Sequence, residues 1–145
     1  MLKFKFRLEQ VLQQRISKEE QALMEQSKAQ QECLRCEQAL AVTEEKLEEM
    51  YQTGACALKP DELMHLLMFR DQLQLLKERQ TKTLQRVNEV LELRKEEVLQ
   101  ARQERMVLEK LKEKQYMEYR ELQLLLEQKE IDELATVSFM RSKSI

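Results

Sequence analysis

The chain has 145 residues, with 25 basic and 27 acidic side chains for a net charge of −2, and only one glycine and one proline. Ala, Glu, Lys, Leu and Arg supply more than half of it, the bias of a long helix or coiled coil, and so few breakers leave few ways to fold back around a compact core. Both signs of charge are mixed throughout, so there is no basic face for nucleic acid; no apolar run nears the ~20 residues of a membrane span or follows the N-terminus as in a secretory signal. The expectation is a cytoplasmic protein.

The opening residues, KFKFRLEQVLQQR over 3–15, alternate at first like a strand: Phe4 and Phe6 stand between Lys3, Lys5 and Arg7. Leu8, Val11 and Leu12 then fall at helical spacing. Either the phenylalanines bury what they can at a frayed start, packing on Leu134, Val137 and Phe139, or this end is built to be held by a partner.

A first helix is expected over 3–52. Steps of 4 and 3 from Ala22 give Ala22, Gln26, Ala29, Cys33, Cys36, Leu40, Thr43, Leu47 and Met50, and seven of these nine are apolar. Cys33 and Cys36 form a C-x-x-C. Zinc would need two more ligands, while a redox pair belongs after a strand. On a helix, residues three apart share a face, and free cysteine packs as a small hydrophobe, so the pair reads as seam. With Cys56 the count is odd, which argues against a disulfide framework.

The glycine and the proline fall together in TGACALKP, residues 53–60, the expected bend. Asp61 and Glu62 behind Pro60 suit a helix start, because acids are favoured at a helix N-terminus. The second tract is expected over 61–140, with 141–145 as a tail. A break near Thr81–Thr83 would divide it in two and leave a short helix after the bend. His65, among Leu63, Met64, Leu66 and Leu67, reads as packing. Steps of 3 and 4 from Leu84 give Leu84, Val87, Leu91, Arg94, Val98, Ala101, Arg105, Leu108, Lys112, Gln115, Tyr119 and Leu122, eight of the twelve apolar.

A heptad seam this long predicts a left-handed coiled coil, and one bend makes it an antiparallel hairpin: an all-α fold in a single elongated domain, 1–145. Charged pairs such as Glu78–Lys82 and Glu109–Lys112 flank the seam. Arg94, Arg105 and Lys112 interrupt it, as register-fixing polar groups do. Two pairings remain open. The small residues of 22–36 could face the larger ones of the last third, such as Leu108, Tyr116, Met117 and Tyr119. Direct closure at the bend would instead set the first helix against 62–111. Neither arrangement offers a pocket for a small molecule, and no catalytic, metal or phosphate-binding set can be assembled, so no cofactor and no enzymatic activity are expected.

The opening Lys3–Arg15, the tract LQARQERMVLEKLKEKQ over Leu99–Gln115 and the ending QKEIDELATVSFMR over Gln128–Arg141 together resemble the FliJ family, the coiled-coil proteins of flagellar type III export. The likeness spans nearly the whole chain. It implies an antiparallel hairpin similar to the central stalk of rotary ATPases. Such a protein couples a hexameric export ATPase ring to the cytosolic domain of the export-gate platform protein, and assists delivery of chaperones and cargo. It would work in the cytoplasm, peripherally at the inner face of the membrane beneath the flagellum.

The resemblance places a candidate ATPase-ring contact at Phe4, Lys5, Phe6 and Arg7, beside Phe139 and Arg141. It places a candidate platform contact at Tyr51, Phe69, Leu73 and Leu76. The latter stripe could equally pack a short helix back on the hairpin. Two alternatives stand beside this reading: the equivalent stalk of a virulence injectisome, and a structural coiled coil that self-associates as a scaffold.

Overall fold

The structure is a computed structural model and describes residues 3–53 and 59–144. The centre of the expected bend, 54–58, lies outside the described residues and takes Cys56 with it. The fold is all-α. Two long helices, α1 (Glu9–Thr53) and α2 (Pro60–Lys143), pack against each other, with no strand among the described residues.

The ends of both helices follow from local chemistry. Pro60 opens α2, where its missing N–H costs nothing, and Asp61 and Glu62 occupy the first turn. Arg141 and Lys143 sit in the last turn, where cations meet the carbonyl end of the dipole. The second tract is therefore one helix without a break at Thr81–Thr83, and it continues into the expected tail. The first helix starts later than expected, at Glu9 rather than Lys3. Residues 3–6 carry no regular structure, and the Glu9 N–H donates to the Phe6 carbonyl at 3.2 Å across a turn.

The described residues fall into two compact units. In the unit Glu19–Gln100 the helices run antiparallel: Cys33 meets Asn88, Lys77 meets Glu44 and Gln74 meets Tyr51. All nine predicted seam positions of α1, Ala22 to Met50, are buried or half-buried here. Leu47, Met50 and Leu73 form the tightest cluster, with Leu66 against it. Thr43 is buried without cost to its hydroxyl, which donates to the Ala39 carbonyl at 3.1 Å.

The unit Met1–Lys18 with Ala101–Ile145 is antiparallel as well. Arg15 and Lys18 converge on Glu104 at 2.7 and 3.3 Å, and Lys112 reaches Glu9 at 2.8 Å. Phe6, Leu12 and Ala101 are its buried apolar residues.

These contacts decide between the two pairings. The first helix faces the residues expected of direct closure, and Cys33 meets Asn88 rather than the last third of the chain. The small residues of α1 do not meet Leu108 to Tyr119. The expected flanking pairs are also replaced. Glu109 accepts from Arg105, four residues back, while Lys112 crosses to α1; Glu78 and Lys82 form no ion pair among the described residues. Arg94 likewise turns out of the seam to Glu97. His65 is exposed, not packed, because Leu66 takes the inward position beside it. Among the described residues no large side chain is wholly buried, as expected where two helices share a single stripe.

Candidate functional site

The N-terminal segment answers the question raised by its alternation. Ahead of the helix, Phe4 is half-buried and Phe6 is buried, and Phe4 faces α2. Phe4 lies edge-on to Tyr116 at 5.4 Å and tilted against Tyr119 at 5.5 Å, within the usual range of aromatic pairs. Phe6 is only 7% exposed. Lys3, Lys5 and Arg7, the residues between, are exposed. Just beyond, Lys112 holds the Glu9 carboxyl below its ordinary value, with a smaller contribution from the Gln13 amide.

Phe139 and Arg141 are not beside this group. The helix runs on for twenty residues from Tyr119 to Phe139, about 30 Å at 1.5 Å per residue. Leu134, Val137 and Phe139, the expected packing partners of the N-terminal phenylalanines, are all exposed, and the tyrosines take their place. The seam ends at Gln123, and every residue from Leu124 to Ser144 is exposed. Leu124, Leu125, Leu126, Ile131, Leu134, Val137, Phe139 and Met140 lie in this tract. At 100° per residue no sector wider than about 60° lacks one of them. Near its end the Lys143 ammonium sits 5.1 Å from the centre of the Phe139 ring, a cation–π contact.

The group near the bend divides. Leu73 is 7% exposed and packs on Leu47 and Met50, so it is core rather than contact surface. Tyr51, Phe69 and Leu76 are exposed. The Tyr51 phenol oxygen accepts a hydrogen bond from the Gln74 amide at 3.0 Å. An open groove of about 690 Å³ runs beside this pair, with Glu44 and Glu48 on one wall and Lys77, Glu78 and Lys82 on the other. Cys33 is inert by position. Its thiol donates to the Asn88 side-chain oxygen, and burial, followed by the charge of Glu37, pushes its pKa up.

The family model of the flagellar FliJ protein matches residues 4–144. The chain belongs to the FliJ family. Searches of curated proteins and of solved structures return no match.

Membership makes this a protein of flagellar export, in a family of coiled-coil components. The matched span takes in the N-terminal segment from Phe4, both helices and the exposed end of α2. Sequence reasoning missed Tyr116 and Tyr119 as partners of the N-terminal phenylalanines. The signal was present in a pair of aromatic residues three apart. It also missed Gln74 and the charged walls of the groove, which only the register brings together. Among the described residues no helix is long and apolar enough to cross a membrane.

Proposed function

We propose that this FliJ-family protein is a stalk-like coupling component of the flagellar export apparatus. It links the hexameric export ATPase ring to the cytosolic domain of the export-gate platform protein and assists chaperone and cargo delivery. It works in the cytoplasm, peripherally at the inner face of the membrane. One observation carries the reading: among the described residues nothing covers α2 after Gln123, yet Leu124, Leu125, Leu126, Ile131, Leu134, Val137, Phe139 and Met140 are spread around its whole circumference between the charged residues. Exposed apolar side chains in such number mark a surface that a partner covers. A flat or grooved partner would cover one side only, whereas the bore of a ring covers all of them.

On this reading Phe139 and Arg141 enter the ring with the rest of the exposed tract. Phe4, Lys5, Phe6 and Arg7 lie at the edge of that contact. The platform side falls to Tyr51, Phe69 and Leu76, with Leu73 supporting them from beneath. The charge pattern disfavours a self-associating scaffold built on the same tract. Glu127, Glu130, Asp132 and Glu133 crowd its middle, and two copies paired there would set like charges together. The flagellar family match favours the flagellar over the injectisome machine.

The test is stimulation of the cognate export ATPase by the full chain. Activation that survives Leu76→Ala but is lost on replacing Leu134, Val137 and Phe139 by serine supports the reading. An ATPase indifferent to the wild-type chain sinks it.

A further inference from the structure

We propose that one side of the unit Glu19–Gln100 is a docking groove for an acidic amphipathic helix of a partner protein. The inference goes beyond the ring and platform contacts. It shares only Leu76 with the latter.

A dimple of about 310 Å³ opens between Cys36, Ala39, Leu76, Arg79, Gln80 and Thr83, beside the seam. Residues seven apart on a helix fall within about 20° of one another. The face that carries Leu76 and Thr83 therefore continues to Val90. Leu76 and Val90 are 42% and 44% exposed. Thr83 between them spends its hydroxyl on the Arg79 carbonyl at 2.9 Å. A stripe at this spacing is a second seam, and no helix of the unit covers it.

The flanks of the stripe are cationic. Steps of three and four through Ala39 on α1 reach Arg35, Val42 and Lys46, and through Thr83 on α2 they reach Arg79 and Arg86 besides Leu76 and Val90. No acid stands at any of these positions. Arg35 pairs with Glu32, whereas Lys46, Arg79 and Arg86 make no ion pair among the described residues. The other side of the unit differs. There Glu44, Glu48 and Glu78 outnumber Lys77 and Lys82, and Lys77 already meets Glu44 at 3.9 Å.

These features define the occupant. An apolar stripe set between carboxylates matches an apolar furrow set between cations, as when an amphipathic helix lies in a groove. The small Cys36 and Ala39 leave room in the dimple for one bulky side chain. A hydrogen-bond donor on that side chain meets the Gln80 side-chain oxygen, which is shielded from solvent and has no partner among the described residues. A second copy is the poorer fit. Its acidic side offers Gln74, Thr81 and Gln85 where the groove takes apolar groups.

The probe is a fluorescein-labelled peptide of about three heptads with leucine at a and d and glutamate at e and g. Its binding to the full-length chain is read by fluorescence anisotropy. Val90→Glu should weaken it by about tenfold or more, since a like charge then faces the glutamates. Thr83→Glu does the same if Val90→Glu loosens the hairpin. Replacing Arg79 and Arg86 by glutamine should weaken it severalfold and flatten its salt dependence. Gln85→Glu, on the other side, should leave it unchanged. No binding of the glutamate peptide, binding that survives both Val90→Glu and Thr83→Glu, or an equal loss from Gln85→Glu would each overturn the proposal. A dimer of the chain in sedimentation equilibrium that Val90→Glu dissolves would overturn it in favour of a second copy. All four positions lie outside the platform group, so loss of that contact and loss of this one are read separately.

Discussion

Leu73 and Leu76 stand three residues apart in one predicted stripe, yet Leu73 is buried against Leu47 and Met50 and Leu76 is 42% exposed. Replacing Leu73 by alanine should cost about 2 kcal/mol, the low end for such a truncation because the core is one side chain deep. Leu76→Ala should stay within about 0.5 kcal/mol. Urea denaturation of both variants checks the difference. Glu9 makes a pH prediction. Its folded pKa lies below the ordinary 4.5 because Lys112 favours the charged form. The contact therefore supports the fold fully above that value and is lost as pH falls through the lower, folded pKa. Titration by NMR should place the Glu9 midpoint below 4.5, and Lys112→Met should return it upward. The two seam thiols should separate as well. Buried Cys33, with its raised pKa, should alkylate more slowly than half-exposed Cys36 in the native protein. Mass spectrometry of iodoacetamide-treated protein reads that order.

At the scale of the helices, the seam was legible because a period of 3.5 residues is a one-dimensional property. Ala22 to Met50 could be counted off the chain, and every one of them turned inward. The partner of each position was not legible. Small-against-large complementarity is satisfied by many offsets, and it pointed wrongly to Leu108–Tyr119. The observed offset pairs Cys33 with Asn88 in one unit, and in the other Phe4 meets Tyr116 and Tyr119 and not Phe139. The two tracts differ in length, 45 residues against 84, and that inequality was visible in the position of the glycine and proline. Carried through, it leaves the end of the longer helix unpaired. Hydrogen exchange should therefore be fast after Gln123 and slow between Leu84 and Leu108, where the helix has a neighbour. Equal protection along both stretches would contradict the exposure described here.

For the molecule as a whole, the family was legible in three dispersed tracts, and the matched span of 4–144 takes in all but the first residue of them. What it touches was less so. Of the residues assigned to the bend-side contact, one is core. Of those assigned to the other contact, two lie about twenty residues further along α2. A contact surface depends on what the fold leaves uncovered, and composition does not record that. The exposed end of α2 has a consequence for how it is met. Starting a helix from coil is the unfavourable step, and lengthening one already begun is nearly free. This tract inherits its winding from the supported turns before it, so a binding partner receives a finished spiral and need not fold one. A synthetic peptide of residues 120–144 lacks that head start. It should be largely coil by circular dichroism and a much poorer competitor than the intact chain.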